Sequence, residues 1–373
     1  MNKRYLVVAL ALTALCAVPT FASTILVPDD FSTIGEAIGA AVDGDEVVVS
    51  PGIYNEHDLD LQGKAIIIRS TAPGDDATVN GTIIDAQGLG RHFHLYNGEG
   101  PSTRIVGLTL RNGFIDTDMG GAICCDGASP VIDRCVFESN DAPAGGGIAC
   151  INGSQAYIIG CVLDGNIGTG AGVHTTDADI TVQNCIFKHG RVHSDSGNDG
   201  AGIHIVSSTA TIANSIFAFN RAEAPYSNWG GAIDSRAGSI VRVDHCTLYN
   251  NYADNGGSAL NVGSSSVVTV QNSIIWGHSG NVINIDAGGT LAITYTDIQG
   301  GYAGEGNIDV SPNFTSAMGL HLLLAPGSPC IDAGTGPVDG WDWCWFSHAY
   351  CQQNTPAPDM GAYGGTENLG WMR

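Results

Sequence analysis

Short segments in which hydrophobic and polar residues alternate recur between residues 130 and 300, and each ends in a polar turn. In the segment 132–138, the hydrophobic positions Ile132, Cys135 and Phe137 fit a strand with one buried face, whose side chains alternate with a period of two. The alternation changes phase at residue 134, which predicts a bend there. The same pattern is present at 158–166, 182–190, 212–220, 243–251, 270–278 and, more weakly, 293–301.

The spacing of these segments predicts stacked coils. The residues that follow the successive bends are Cys135, Cys161, Cys185, Ser215, Cys246, Ser273 and Thr296. They are separated by 26, 24, 30, 31, 27 and 23 residues, the length that one coil of a three-sided β-helix needs. Glycine-rich turns followed by a hydrophobic residue alternate with them, at 120–123, 145–148, 170–173, 200–203, 230–233 and 256–260. This period is typical of a solenoid, here of about eight or nine coils.

Asparagine occupies the bend in three coils, as Asn184, Asn214 and Asn272. Asparagine tolerates left-handed backbone dihedral angles, and its amide can bond to a neighbouring turn. We therefore expect these three side chains to stack and to hydrogen-bond to one another and to the turn backbone.

The two ends of the predicted solenoid differ from its middle. Thr33 and Glu36 have capping-box spacing and open a hydrophobic stripe at helical spacing, which predicts a helix that plugs the first coil. Before it, two basic residues, the hydrophobic run 5–18 and a small-residue site before Ser23 predict a cleavable signal peptide. The predicted domains are a signal peptide at 1–22, the β-helix at 23–305 and a C-terminal capping segment at 306–373.

The charge excludes some partners. The sequence has 14 Lys and Arg against 37 Asp and Glu, and loss of the two basic residues of the signal peptide leaves 12 − 37 = −25. Nucleic acids and anionic lipids are bound through Lys and Arg, so neither is expected as a partner. An acidic polysaccharide would be repelled unless a divalent cation bridged the like charges. No later hydrophobic run approaches the roughly 20 residues of a transmembrane helix, so we expect a secreted or cell-surface protein.

Three stretches resemble known families. Residues 45–56, with Gly52, Tyr54 and Glu56, resemble the first coil of pectin-lyase-like β-helix proteins, including the Gly-x-Tyr-x-Glu element of pectin methylesterases. The coils with Gly-Gly-Ala-Ile and Phe-x-x-Asn resemble the repeats of polymorphic outer-membrane proteins, and residues 307–363 resemble the tail of β-helix proteins of the choice-of-anchor type. These resemblances imply an all-β fold, a right-handed parallel β-helix. It would be a single-stranded solenoid with a short N-terminal capping helix and a small C-terminal cap.

The catalytic motifs of those families are mostly missing. We find no second pectin methylesterase element, and no Gly-His-Gly or Arg-Ile-Lys stretch of the polygalacturonase kind. The segment 241–246 is similar to a strand motif of pectate lyases, but their arginine-proline stretch is absent. Asp244 and His245 within it are therefore expected to have structural roles.

Strand register brings one group of chemically capable side chains together. If the hydrophobic residue after each glycine-rich turn faces inward, then His174, His204 and Asp234 form a solvent-facing column with a spacing of about 4.8 Å. Two imidazoles and a carboxylate at that spacing can hold a metal ion or divide acid and base roles, which makes these three the candidate catalytic residues. Exposed positions must also be filled by something polar, so a chance column is the alternative.

Two long connections, 191–199 and 221–229, are predicted beside this column. Their candidate substrate-binding residues are Arg191, His193, Arg221, Tyr226 and Trp229. Aromatic rings beside carboxylates and arginines are what a sugar-binding groove uses, and long loops on one side of a solenoid often carry its binding function. Asp195 and Asp199 are candidate calcium ligands of a lyase in which Arg191, Arg221 or Arg236 is the base. Surface decoration is the alternative.

The cysteines fall into two groups. Those of the repeat recur at inward positions and are predicted to be buried thiols, with bridges between coils as the alternative: Cys125, Cys135, Cys150, Cys161, Cys185 and Cys246. Cys344 and Cys351 lie in an irregular tail rich in tryptophan, which a disulfide between them would staple. Free thiols or metal ligation are the alternatives for this pair.

Two classes of function are open at this stage. In the first, the protein binds an extracellular polysaccharide or another cell-surface component, with lyase or hydrolase activity undecided and calcium as the one cofactor considered. In the second, it is a non-catalytic adhesin or structural surface protein. In both cases we expect a monomer.

Overall fold

The computed structural model describes residues 22–192, 200–223, 229–315, 322–336 and 357–364. Several predicted features lie outside these ranges: residues 1–21 of the signal peptide, the site residues His193, Asp195, Asp199 and Tyr226, and the cysteines Cys344 and Cys351. Among the residues within them, no helix has the length and hydrophobicity needed to cross a membrane.

Within the described ranges, long parallel sheets of eleven, ten and eight strands follow the axis of the molecule. Sheet 1 consists of Thr24–Val27, Glu46–Val49, Ile67–Ser70, Arg104–Val106, Val131–Asp133, Tyr157–Ile159, Asp179–Gln183, Thr209–Ala213, Ile240–Asp244, Val267–Gln271 and Thr290–Thr294. Sheet 2 consists of Gly52–Tyr54, Thr82–Asp85, Thr109–Arg111, Val136–Glu138, Val162–Asp164, Ile186–Lys188, Ile216–Ala218, Thr247–Tyr249, Ile274–Trp276 and Asp297–Ile298. Sheet 3 consists of Phe93–Leu95, Ile123–Asp126, Ile148–Ile151, Val173–Thr176, Ile203–Val206, Ile233–Arg236, Leu260–Val262 and Ile283–Ile285.

Short paired strands connect sheet 2 to sheet 3 in some coils. They are Asp141–Ala144 with Ile167–Thr169, and Arg221–Ala222 with Tyr252–Ala253. In every large sheet, hydrogen-bonded neighbours come from successive coils, as where Val131–Asp133 pairs in parallel with Tyr157–Ile159. The predicted fold class, an all-β parallel β-helix, is confirmed.

The inward-facing residues of the three sheets form one hydrophobic core along the axis. Its side chains stack from coil to coil, and the rings of Phe187 and Phe217 lie parallel with their centroids 4.5 Å apart. The cysteines of the repeat are buried in this core as free thiols. Their burial agrees with the prediction from the alternating pattern.

The helix Ile34–Ala40 covers the N-terminal end of the core, as predicted, and contributes its buried face to the main cluster. Thr33 Oγ1 accepts a hydrogen bond from the N–H of Glu36 at 3.1 Å. The Glu36 carboxylate accepts a hydrogen bond from Ser32 Oγ at 2.9 Å, and hydrogen bonds from Ser32 and Thr33 lower its pKa. A second helix, Asp76–Gly81, precedes one strand of sheet 2 and was not predicted.

The bend asparagines adopt the predicted left-handed conformation, with φ of 54° at Asn184, 47° at Asn214 and 53° at Asn272. Asn184 and Asn214 lie in neighbouring coils at one register, but the predicted hydrogen bonds between the asparagine side chains are wrong, since within the described residues none joins one of the three to another. Asn214 Nδ2 instead donates to two backbone carbonyls of the C-terminal segment, at 3.2 and 2.7 Å, and Asn272 Nδ2 donates to the carbonyl of Thr335 at 3.0 Å. Asn214 and Asn272 therefore bind the C-terminal segment.

A stacked asparagine ladder does form at the other end of sheet 2. Asn140 Nδ2 donates to Asn166 Oδ1 at 3.0 Å, and Asn220 Nδ2 donates to Asn251 Oδ1 at 2.9 Å. These residues occupy the polar turns that end the alternating segments. The ladder therefore supplies partners for buried polar groups at each of these corners.

The C-terminal segment contacts both the last coil and the outer face of sheet 2. Ile308 pairs with Asp297 of the last sheet-2 strand, and the parts 322–336 and 357–364 then pack along the outer face of sheet 2. Under this cover Asp297 is fully buried and accepts a hydrogen bond from the thiol of Cys330 at 3.2 Å. Burial raises the pKa of Asp297 to about 6. The segment thus closes the last coil and also covers the sheet-2 side of the β-helix.

Candidate functional site

The outer face of sheet 3 carries an unbroken row of side chains, which we call the column. Strand pairing places His174 beside His204, His204 beside Asp234, and Asp234 beside Asn261. In the complete row these follow His94, Cys124 and Ala149, and precede Asn284. The structure thus brings the three candidate catalytic residues together, in the order that the repeat implies.

The expectation that these three residues face solvent is wrong. The exposed fractions are 5% for His174, 8% for His204 and 0% for Asp234. The glycine-rich turns lie against the column, because a β-carbon at Gly200 would be 2.9 Å from the β-carbon of His204, and one at Gly230 would be 2.5 Å from that of Asp234. Positive φ angles of 70° at both glycines allow this close approach.

The two histidines are joined in a chain of contacts. His174 Nε2 lies 2.9 Å from Thr176 Oγ1, and the Nδ1 atoms of His174 and His204 are 3.2 Å apart. Two proton arrangements fit both contacts, and the one that turns an N–H of His204 toward the Asp234 carboxylate has the Thr176 hydroxyl donating to His174 Nε2 and His174 Nδ1–H donating to His204 Nδ1. His204 then carries its proton on Nε2, which lies 3.2 Å from Asp234 Oδ2 at an angle too bent for a hydrogen bond.

Asp234 is held from two other sides. Arg236 Nε donates to Oδ2 at 2.8 Å, and Asn261 Nδ2 donates to Oδ1 at 2.5 Å. Burial raises the pKa of Asp234 to about 6, against the opposing charge of Arg236. Burial lowers the pKa of His174 and of His204 to about 3, so both imidazoles are neutral at pH 7.

This arrangement favours a structural role. In a metal site the ligand atoms converge on one point. Here one nitrogen of His204 faces His174 and the other faces Asp234. Among the described residues, no group of three or more His, Cys, Asp or Glu is placed to hold a metal ion. A base with a pKa near 3 is poorly matched to proton transfer at neutral pH. The catalytic role of His174, His204 and Asp234 stays a prediction, and their burial argues against it.

A second feature, which we call the ridge, lies on the connection between sheets 2 and 3. Arg191 pairs with Arg221, and Arg221 pairs with Tyr252, so the three residues are stacked in register. Both arginines are exposed and Tyr252 is half-buried; the Arg221 guanidinium carbon lies 5.8 Å from the centroid of the Tyr252 ring and its Nη1 pairs with Glu223. The residues that follow the ridge positions are buried and form a small hydrophobic cluster with Ala201 of the glycine-rich turn: Val192, Ala222 and Ala253.

The predicted substrate-binding residues divide accordingly. Arg191 and Arg221 belong to the ridge, while half-buried Trp229 accepts a hydrogen bond from the N–H of Gly200 at its carbonyl (2.8 Å) in the turn beside the column. Tyr252 was not among the predicted residues. The sequence could have indicated it, because Arg221 and Tyr252 both lie between an asparagine and an alanine, in Asn220–Ala222 and Asn251–Ala253, and the two segments pair in register.

Asp244 and His245 lie at the corner that the C-terminal segment covers. Asp244 Oδ1 is 3.0 Å from His245 Nδ1 and accepts a hydrogen bond from Asn272 Nδ2 at 3.1 Å, while Arg242 donates to Oδ2 at 2.8 Å. Burial raises the pKa of Asp244, but hydrogen bonds from His245 and Arg242 outweigh it and lower the value to about 2. These contacts agree with the structural role predicted for both residues.

Comparison with known proteins gives no family. No protein-family model and no curated protein matches the chain. Among solved structures, a pectate lyase, Pel9A, is similar with a TM-score of 0.45 and 13% identity over 91% of this chain and 96% of that one. The PL6 family alginate lyase AlyGC is similar with a TM-score of 0.30 and 14% identity over 78% of this chain and 54% of that one. Similarity at this level says nothing about the activity of this chain.

Proposed function

We propose that this protein is exported and binds an extracellular polysaccharide through the ridge. The observation that carries the proposal is the alignment of two exposed arginines and a tyrosine in three successive coils, at the strand spacing of about 4.8 Å, with Arg221 over the Tyr252 ring, in a chain with a net charge of −23. The two arginines are neighbours in the backbone register, and guanidinium groups form charge-assisted hydrogen bonds with carboxylate, sulfate or hydroxyl oxygens, so an acidic or hydroxyl-rich ligand that spans both coils can contact both side chains. The Tyr252 ring adds an apolar face for a sugar ring.

Binding without turnover is the part of this function that the geometry supports. The candidate acid and base groups of the column are buried and bonded to one another. At the ridge, two carboxylates lie beside the arginines and the aromatic ring, and both are already engaged, Glu223 with Arg221 and Asp254 with the Tyr252 side chain. A rigid solenoid that presents such a ridge suits a surface protein that attaches to glycans.

The ridge is tested by replacing both arginines. We expect Arg191→Ala with Arg221→Ala to weaken polysaccharide binding by about tenfold or more, equivalent to at least ~1.4 kcal/mol, because the charge-assisted contacts are lost. Binding is measured by a glycan array and by titration calorimetry with pectate, alginate and glycosaminoglycans, with and without calcium. High salt should weaken wild-type binding, since exposed charges are screened.

The matched control is Arg104→Ala, which removes a half-exposed, ion-paired arginine from sheet 1 and should leave binding unchanged. Absence of wild-type binding to every glycan, or equal binding by the double variant, would overturn the proposal. A lyase absorbance assay on the same substrates covers turnover, where release of unsaturated sugars would show that the protein also cleaves its ligand.

A further inference from the structure

The outer face of sheet 3 is open toward the N-terminus, where the column reaches its first members. His94 is half-buried there, and Tyr96, just after the strand Phe93–Leu95, has 49% of its surface exposed. Asp60 lies in the neighbouring coil, next to the bridge between Leu59 and Phe93. This part of the face therefore presents an aromatic ring, an imidazole and a carboxylate to solvent.

Two contacts order the Tyr96 side chain, one through its hydroxyl and one through its ring. Its hydroxyl donates to Asp60 Oδ2 at 3.2 Å, and its ring lies 4.7 Å from the His94 ring, centroid to centroid. Asp60 is itself fixed, since Oδ1 accepts from the backbone N–H of Gln62 at 2.7 Å and from Asn97 Nδ2 at 3.2 Å. A ring that is already ordered loses little conformational entropy when a ligand stacks on it.

The groups around the ring are those that recognise hydroxyl groups. Asp60 offers carboxylate oxygens as acceptors on one side, and Asn97 offers an amide. Asp126, one coil further along the axis, offers a second carboxylate and accepts from Asn152 Nδ2 at 2.7 Å. The charges that act on His94 are the carboxylates of Asp60, Asp118 and Asp126 and the guanidinium of Arg91, which pairs with Asp118, so the surface has a negative potential that repels an anionic sugar and admits a neutral one.

We propose that Tyr96, with Asp60, His94, Asn97 and Asp126, forms a second saccharide site that stacks a neutral, hydroxyl-rich sugar ring on the tyrosine. The site shares the saccharide chemistry of the proposed function but uses none of the ridge residues. The two surfaces differ in charge, since arginines form the ridge and carboxylates surround Tyr96. A polymer with both acidic and neutral units could therefore contact both.

The test uses titration calorimetry with three neutral probes, the β-1,4-linked hexasaccharides of glucose, xylose and mannose. We expect wild-type protein to bind at least one of them, and Tyr96→Ala to weaken that binding by about tenfold, equivalent to ~1.4 kcal/mol. Tyr96→Phe keeps the ring but removes its hydrogen bond to Asp60, and we expect a smaller loss, of about threefold. It also serves as the second test should the alanine variant fold poorly.

Two controls separate this site from the rest of the molecule. Tyr157→Ala removes a tyrosine that is 44% exposed on sheet 1 and should leave the binding of neutral sugars unchanged. The ridge double variant should also bind the neutral probe as wild-type protein does. No binding of any neutral probe, or equal binding by wild-type, Tyr96→Ala and Tyr96→Phe proteins, would overturn this site while leaving binding of charged glycans at the ridge intact.

Discussion

Replacing Asp234 by alanine is expected to lower the free energy of unfolding by about 3–5 kcal/mol, the usual cost of removing one partner from a buried ion pair. The change removes the acceptor of the hydrogen bonds that Arg236 Nε donates at 2.8 Å and Asn261 Nδ2 donates at 2.5 Å, in a position where the carboxylate is fully buried. His204 loses its only acidic neighbour among the described residues. Urea unfolding followed by circular dichroism measures the difference.

The matched control is Asp179→Ala, which removes an exposed aspartate from the edge of a sheet-1 strand and should change stability by less than about 0.5 kcal/mol. Asp234→Asn keeps one acceptor and should fall between the two. An Asp234→Ala protein that unfolds like the wild type, yet loses a measurable glycan-cleaving activity, would contradict the structural interpretation and restore the catalytic one.

The order of the residues in the column could be predicted from the sequence, but their burial could not. The order follows from counting, because residues one coil apart in a parallel sheet must be neighbours, and His174, His204 and Asp234 each follow a glycine-rich turn by the same offset. Burial depends on how those turns fold back. Gly230 lies within contact of Asp234 because of its left-handed φ, and no alternation of polar residues encodes that approach.

The bend asparagines show the same limit over a longer range. Their left-handed conformation could be predicted at Asn214 and Asn272 because asparagine tolerates it, although Arg134 and His245 adopt it at the same bend in other coils. Their hydrogen-bond partners are Ala362 and Thr335, which are 148 and 63 residues away in the chain. The C-terminal segment shares no period with the coils, so its path along sheet 2 could not be read from the repeat.

In the asparagine register at the end of sheet 2, Gly190 stands between Asn166 and Asn220, and His278 follows Asn251. The register residues Asn220 and Asn251 each donate to the carbonyl of a core residue in the preceding coil, as Asn251 Nδ2 does to Phe217 at 2.8 Å. His278 replaces asparagine in this register, with Nε2 at 3.0 Å from the carbonyl of Leu248 and Nδ1 at 3.1 Å from that of Asn251. A neutral imidazole has one N–H, so it can donate to only one of these carbonyls.

We expect His278→Asn to make the fold less sensitive to acid. Burial lowers the pKa of His278 to about 4 although both carbonyls favour the protonated form. An unfolded histidine has a pKa near 6.5, so the unfolded chain binds the proton first and stability is lost as the pH falls from about 6.5 to about 4. By linkage this loss approaches about 3 kcal/mol at pH 4, and asparagine, which does not titrate, avoids it.

Urea unfolding at pH 7 and pH 4 measures this difference directly. The two proteins should be within about 1 kcal/mol of each other at pH 7, with the variant more stable by about 2–3 kcal/mol at pH 4. Other titrating groups, such as Asp234 and Asp297, change both proteins equally and cancel in the comparison. His189→Asn, at a histidine whose side chain is 51% exposed, is the control and should not gain stability at pH 4. Parallel pH profiles for wild-type and His278→Asn proteins would mean that His278 titrates in the folded chain as it does in the unfolded one, so that the buried ladder would not discriminate against a charged ring.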